Sequence, residues 1–130
     1  MQKRIVNPWS WQDRFGFAQA TEATAGERVL YCAGQTSVDD NGSPIHQGEM
    51  EAQVMQALDN LETVLHEADF ELADIVRLTI YVTDIDAYFG AAPALGARLA
   101  DAGGYASTLL GVARLALPEL LVEIEATAVR

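Results

Sequence analysis

Apolar residues in the first half of the chain change from a strand pattern to a helix pattern. Residues 15–23 and 28–38 have the mixture of apolar and small side chains typical of strands, and Ala25-Gly26 between them favours a hairpin. From about Glu49 to Ala68 the apolar residues recur at a spacing of three and four, which predicts an amphipathic helix. The residues of its buried stripe are Val54, Leu58, Leu61, Val64, Leu65 and Ala68.

The same change from strand to helix is repeated further along. Strict alternation of apolar and polar residues over 74–84 predicts a strand. Asp84 or Asp86 can cap a second helix that runs from about 87 to 100. Because proline interrupts helices, Pro93 indicates that this helix starts late or is kinked.

Two further strands, 105–116 and 120–130, complete a ββαβαββ order over a single domain of residues 1–130. The fold class is therefore α+β, with both helices on one face of a mixed sheet, because two helices can cover only one face. The other face keeps apolar side chains, and an uncovered apolar face usually means oligomerisation. The residues expected there are Tyr31, Tyr81 and Leu109.

The last strand carries two glutamates at a spacing of two. Residues two apart in a strand point to the same side, so Glu123 and Glu125 share a face. The alternate residues Val122, Ile124 and Ala126 are all apolar. The two carboxylates either line an exposed sheet face or belong to a site.

The charge balance limits the possible partners. With 19 acidic against 8 basic residues the formal net charge is −11, which disfavours nucleic acids and anionic membranes. The start of the chain lacks the apolar segment of a secretory signal, and no run is long enough to span a bilayer. We therefore expect a cytoplasmic protein without nucleic-acid or membrane partners.

Residues for metal binding or nucleophilic catalysis are scattered. His46, His66 and Cys32 show no ligand spacing, so we expect no metal site and no cofactor. Cys32, in an apolar strand, is expected to be a buried, inert thiol. Ser107-Thr108 has no glycine-flanked nucleophile motif around it.

Four segments in order resemble the Rid family, the reactive-intermediate deaminases, many of which carry the label L-PSP endoribonuclease. They are "AGQTSVDDNG", "QALDNLETVLHEA", "DIVRLTIYVTDIDAY" and "GVARLALPELLVEIEATAVR". The resemblance extends from about Phe15 to Arg130. It implies a chorismate-mutase-like fold and a homotrimer with small-molecule clefts between neighbouring subunits. Deaminating members hydrolyse enamines and imines, such as 2-aminoacrylate, to a keto acid and ammonia.

The resemblance also implies site residues. Gly34, Gln35 and Glu123 match the family's cleft, and Glu123 matches the acid that positions a water molecule. Other cleft positions differ from the family pattern. Ser107 replaces an arginine that grips the substrate carboxylate, while Phe17, Leu109 and a position near Ala92 replace a tyrosine, a cysteine and an asparagine.

The loss of the arginine changes the expected substrate. Serine cannot replace the charged, bidentate fork of arginine, so a cleft that holds Glu123 should repel a carboxylate. One hypothesis is therefore hydrolysis of a neutral or cationic imine or enamine. In it Glu123 activates water, backbone groups near Ser107 and Thr108 bind the polar end of the ligand, and Phe17 and Leu109 form an apolar wall.

Two other hypotheses remain. The chain can be a non-catalytic module that binds or senses a small ligand in the same cleft. An endoribonuclease, the older label, is disfavoured by the acidic charge and by the absence of basic or aromatic stripes.

Overall fold

The computed structural model describes residues 1–130 and contains six strands and two α-helices. Two single 3-10 turns, Asp13–Phe15 and Leu72–Asp74, precede β2 and β4. The main elements in chain order are β1 (Gln2–Val6), β2 (Ala20–Thr24), β3 (Val29–Thr36), α1 (Met50–Glu67), β4 (Ile75–Val82), α2 (Ile85–Arg98), β5 (Ala106–Gly111) and β6 (Val122–Val129).

A mixed four-stranded sheet in the order β3-β6-β4-β5 forms the centre of the fold. β4 and β5 are parallel, and the other neighbours are antiparallel. α1 packs on β3 and β6, and α2 lies beside α1. The expected α+β architecture, with two helices packed on a mixed sheet, is confirmed. Neither helix is both long enough and apolar enough to cross a membrane.

Both helices form where the sequence predicted them. In α1 the residues Val54, Leu58, Leu61 and Leu65 are fully buried against the sheet. α2 begins at Ile85, because the side chain of Asp84 accepts a hydrogen bond of 3.0 Å from the Ala87 amide. Pro93 lies inside α2, so the helix does not start late.

The predicted hairpin between the first two strands was wrong. β2 pairs with an additional N-terminal strand, β1, in a separate two-stranded ribbon, whereas β3 pairs with β6. β1 lacks clear apolar alternation and is held by polar contacts instead. Lys3 donates to the carbonyls of Ala73, Ile75, Ala102 and Gly104 at 2.6 to 3.3 Å.

The face of the main sheet opposite the helices has no cover within the chain. The side chains of Val29 and Tyr31 are 52% and 80% exposed. Tyr81 also lies on this face, as predicted. The placement of Leu109 there was wrong, because it pairs laterally with buried Ile80 on the helix side.

Candidate functional site

The residues predicted from the sequence lie on two opposite faces of the main sheet. Laterally paired residues of neighbouring strands point to the same side. Ser107 pairs with Leu78, which is buried beneath the helices. Glu123 pairs with Tyr81 on the uncovered side. Within one chain, Ser107 and Glu123 are therefore separated by the sheet.

A mostly apolar cavity of about 750 Å³ lies on the helix side, between α2, β5 and the segment before β2. Ten of its sixteen lining residues are hydrophobic. The four positions at which the sequence resemblance implies a departure from the family's cleft all line this one cavity. They are Phe17, Ala92, Ser107 and Leu109.

The segment before β2 forms an aromatic wall of the cavity. The rings of Trp11 and Phe17 meet edge to face, with centroids 6.0 Å apart, and Phe15 lies 6.5 Å from Phe17. Gly16, with φ of 74°, turns the chain between Phe15 and Phe17 in a conformation that glycine adopts without strain. Trp11 and Phe15 remain about half exposed at the mouth.

Hydrogen bonds fix this wall in place. Gln12 is fully buried; its amide donates to the carbonyl of Trp9 at 2.8 Å and accepts from Gln19 at 3.1 Å. The amide of Ala18 donates to the carbonyl of Tyr105 at 2.9 Å, next to an isolated bridge between Ala18 and Ala106. The segment is thus attached to the edge of β5.

Two tyrosines that are mostly buried also line the cavity. Tyr88 and Tyr105 are 5% and 4% exposed, and neither hydroxyl makes a hydrogen bond within the chain. Burial, and then the neighbouring Tyr105, raise the pKa of Tyr88 to about 12. Burial also raises the pKa of Tyr105. Both phenols stay neutral and serve as hydrogen-bonding groups rather than bases.

The opposite face carries the acids. Gly34 lies so close to Glu123 that a Cβ at this position would overlap its carboxylate. The bulge in β3 between Cys32 and Gln35 sets this approach. The hydroxyl of Tyr81 donates a hydrogen bond of 2.6 Å to Glu125 Oε1, which, ahead of burial and the acidic charges nearby, raises the pKa of Tyr81.

The other predicted ligand-binding residues divide between these surfaces. Thr108 lies on the acid side, where its hydroxyl accepts a hydrogen bond of 3.2 Å from Arg77. Gln35 stands opposite Ile124 in the register, and its amide donates to the carbonyl of Ala33 at 3.2 Å. Cys32 is buried, and burial raises the pKa of its thiol.

Several cavity residues were not predicted from the sequence. The segment "WSWQDRFGF" contains four aromatic residues in nine positions, a density that could have drawn attention to Trp11 and Phe15. Nothing in the local pattern distinguishes Tyr88 or Tyr105 from ordinary core tyrosines. Their role in the lining becomes visible only when α2 and β5 are packed together.

Known proteins give independent information. The family model described as endoribonuclease L-PSP matches residues 14–130. The chain is 32% identical over 109 residues to the RutC family protein slr0709 of Synechocystis, covering 83% of each chain. It is 29% identical over 108 residues to the RutC family protein PH0854 of Pyrococcus horikoshii, covering 83% of this chain and 84% of that one.

A solved structure shows the same architecture over the full length. YyfB from Yersinia pestis, a Rid-family protein described as of unknown function, is 38% identical with a TM-score of 0.90, and each chain covers 100% of the other. The matched segments, the fold and the relatives agree. The chain therefore belongs to the endoribonuclease L-PSP family, whose members are also called RutC or Rid proteins.

Proposed function

We propose that the chain hydrolyses a small imine or enamine at a site built from two subunits. One subunit contributes the aromatic cavity, and its neighbour contributes Glu123. The observation that carries the proposal is the placement of Ser107 and Glu123 on opposite faces of one sheet. A cavity and an acid on opposite faces can form one site only when a second copy supplies one of them.

The chemistry needs few groups. Glu123 accepts a proton from a water molecule as its oxygen adds to the carbon of the C=N bond, and the nitrogen gains a proton. The resulting carbinolamine then loses ammonia and leaves a carbonyl product, so the reaction consumes only water. An enamine enters the same sequence after it takes up a proton at carbon and becomes an imine. Gly34 supports this role because its missing side chain leaves room for the carboxylate.

The uncovered sheet face supports an assembly. Apolar and aromatic side chains such as Val29 and Tyr31 are highly exposed in the isolated chain, and burial in an oligomer would remove them from water. We propose a homotrimer, in which each acid face meets the next cavity. Light scattering at micromolar concentration should then give about three times the chain mass of 14.1 kDa.

Subunit complementation tests the shared site. Glu123→Gln removes the acid, and Ala92→Trp fills the cavity, so each variant alone should lack hydrolysis of imines generated in situ from amino acids. In a trimer mixed at random from equal amounts of both, about one quarter of the sites combine two intact halves. Activity that returns to about that fraction supports the proposal. No recovery from two assembled variants would reject a shared site.

A non-catalytic ligand-binding module is the alternative function. The cavity alone, with its aromatic walls, suffices to bind a ligand. If the wild type binds ligands in this cavity and hydrolyses no imine of the amino-acid series, the binding module is the correct description.

A further inference from the structure

We infer that Arg14 binds the carboxylate of an aromatic substrate at the mouth of the cavity. Arg14 takes over the role of the arginine that the family resemblance implies at position 107, where this chain has serine. The claim that such a substrate is hydrolysed rests on the proposed function, because it names the substrate class of the same site. The claim that Arg14 binds a carboxylate rests only on the geometry of one chain.

Arg14 differs from every other arginine of the chain. The remaining six all donate hydrogen bonds to carboxylates, hydroxyls or carbonyls of the protein; they are Arg4, Arg28, Arg77, Arg98, Arg114 and Arg130. The guanidinium of Arg14 makes neither a hydrogen bond nor an ion pair within the chain. Its five donors are therefore available to a ligand.

The position of Arg14 is defined although its donors are free. Its guanidinium carbon lies 4.7 Å from the ring centroid of Phe15, a cation–π distance. Stacking on a ring occupies the flat face of the guanidinium and leaves its N–H edges available for bidentate pairing. The neighbouring carboxylate of Asp13 accepts a hydrogen bond of 3.2 Å from buried Gln12 and makes no ion pair with Arg14.

The cavity behind Arg14 accepts an aromatic group. Trp11, Phe15 and Phe17 provide ring surfaces, and a volume of about 750 Å³ exceeds what a single benzene ring needs. No other cationic side chain lines the cavity. A ligand that places its ring inside therefore finds a partner for a carboxylate only at the mouth, where Arg14 lies.

The unbonded tyrosine hydroxyls complete the recognition. Tyr88 and Tyr105 are more than nine-tenths buried, line the cavity, and form no hydrogen bonds within the chain. Neither hydroxyl is sealed in the core, so both phenols open into the cavity and can hydrogen-bond to a polar atom of a ligand there. An imine nitrogen or carbonyl oxygen next to the carboxylate of an aryl acid supplies such an atom.

The position of Arg14 changes the earlier expectation that the cleft repels a carboxylate because Ser107 is not an arginine. A carboxylate is not repelled if Arg14, which lines the same cavity, pairs with it. The substrate class is then an imine or enamine derived from an aromatic amino acid, and the product is an aryl keto acid with ammonia. The short 2-aminoacrylate skeleton would leave the aromatic walls unfilled.

Calorimetric titration of the wild-type assembly with 3-phenylpropanoate and with its neutral amide tests the inference. Arg14→Gln should weaken binding of the carboxylate by at least about tenfold and leave binding of the amide unchanged. Arg14→Lys, which keeps the charge and loses the fork, should fall between the two. Arg114→Gln, which removes another exposed arginine outside the cavity, is the matched control and should bind both ligands like the wild type.

Three results would overturn the inference: no binding of 3-phenylpropanoate by the wild type, no effect of Arg14→Gln, or equal weakening for the acid and the amide. The last result would mean that Arg14 only shapes the wall. Failure of the proposed hydrolysis is distinguishable, because it would leave selective carboxylate binding intact while no imine is turned over. Conversely, hydrolysis of aromatic imines that is insensitive to Arg14→Gln would reject only the inference.

Discussion

Tyr81 donates a hydrogen bond of 2.6 Å to Glu125, whereas Glu123, two residues earlier on the same face of β6, accepts no hydrogen bond within the chain. One acid is already engaged, and the other is free to hold water. We therefore expect the two carboxylates to have different roles although their spacing makes them neighbours.

Glu123→Gln keeps the shape of the side chain and removes the base. It should abolish imine hydrolysis, leave the oligomer intact and change the free energy of unfolding by about 1 kcal/mol or less. Glu125→Gln is the matched variant and should spare hydrolysis, with any effect confined to assembly. Wild-type turnover by Glu123→Gln would show that Glu123 is not the base.

Gly34→Ala should reduce hydrolysis while the chain stays folded. The added methyl group would overlap the carboxylate of Glu123 and displace it from its position against β3. Gly90→Ala in α2, where a methyl group meets nothing within 4 Å, is the control and should keep full activity. The comparison uses kcat/KM for the best imine substrate; equal values for both variants would contradict the argument.

Ser107→Arg should add a second cationic side chain to the cavity, besides Arg14. The family resemblance implies that Ser107 takes the position of the carboxylate-gripping arginine, and Ser107 lines the cavity. With 2-aminoacrylate generated in situ, the wild type should be close to the uncatalysed rate, and the variant should be faster or equal. A wild type as fast as an arginine-bearing relative would show that this small carboxylate needs no arginine at this position.

Lys3→Met should destabilise the chain, although Lys3 lies in β1 and therefore outside the main sheet. The three N–H groups of the ammonium are shared among four backbone carbonyls at 2.6 to 3.3 Å, and the loss of these bonds should cost about 1–3 kcal/mol. Arg4→Met, which removes an exposed ion pair with Glu22, should have a much smaller effect. Urea unfolding of both variants measures the difference; equal stabilities would mean that the four contacts contribute nothing.

Alkaline pH should weaken the fold through Tyr88. Its pKa is raised to about 12 in the folded chain, above the unfolded value near 10, so the folded state keeps a proton that the unfolded state loses. The contribution of Tyr88 is complete below pH 10 and is lost as the pH rises towards 12, with a slope of up to about 1.4 kcal/mol per pH unit. Tyr88→Phe should flatten the decline in unfolding free energy between pH 9.5 and about 11.5. A slope identical to that of the wild type would contradict this origin.

Periodicity predicted α1, the central strands and the shared face of Glu123 and Glu125, because each of these depends on which side chains enter one core. The second helix was predicted from its capping aspartate instead. Periodicity failed for β1, which is held by Lys3 and by cross-strand pairing rather than by an apolar stripe. It also misplaced Leu109. The side of the sheet to which a residue in β5 points depends on its register with β4, and register is not encoded in the pattern of a single strand.

The candidate site was predictable only in part for a related reason. Family resemblance supplied Phe17, Ser107 and Glu123, since these positions match a known motif. Arg14 has no counterpart in that motif. What distinguishes it is that its guanidinium makes no hydrogen bond or ion pair within the chain, and this is visible only in the folded structure. The sequence gives the residue type, whereas the availability of the Arg14 donors depends on the tertiary contacts of the surrounding residues.

The ribbon of β1 and β2 has an evolutionary consequence. Val6 pairs with Ala20, so the segment 7–19, which carries the aromatic wall and Arg14, begins and ends at adjacent points. A loop closed in this way can change in length or sequence with little effect on the sheet, as long as the ribbon still pairs and Ala18 keeps its bond to the edge of β5. Glu123, by contrast, lies in a strand between two others and has no such freedom. The wall of the cavity can therefore vary in sequence while the strand that carries Glu123 stays unchanged.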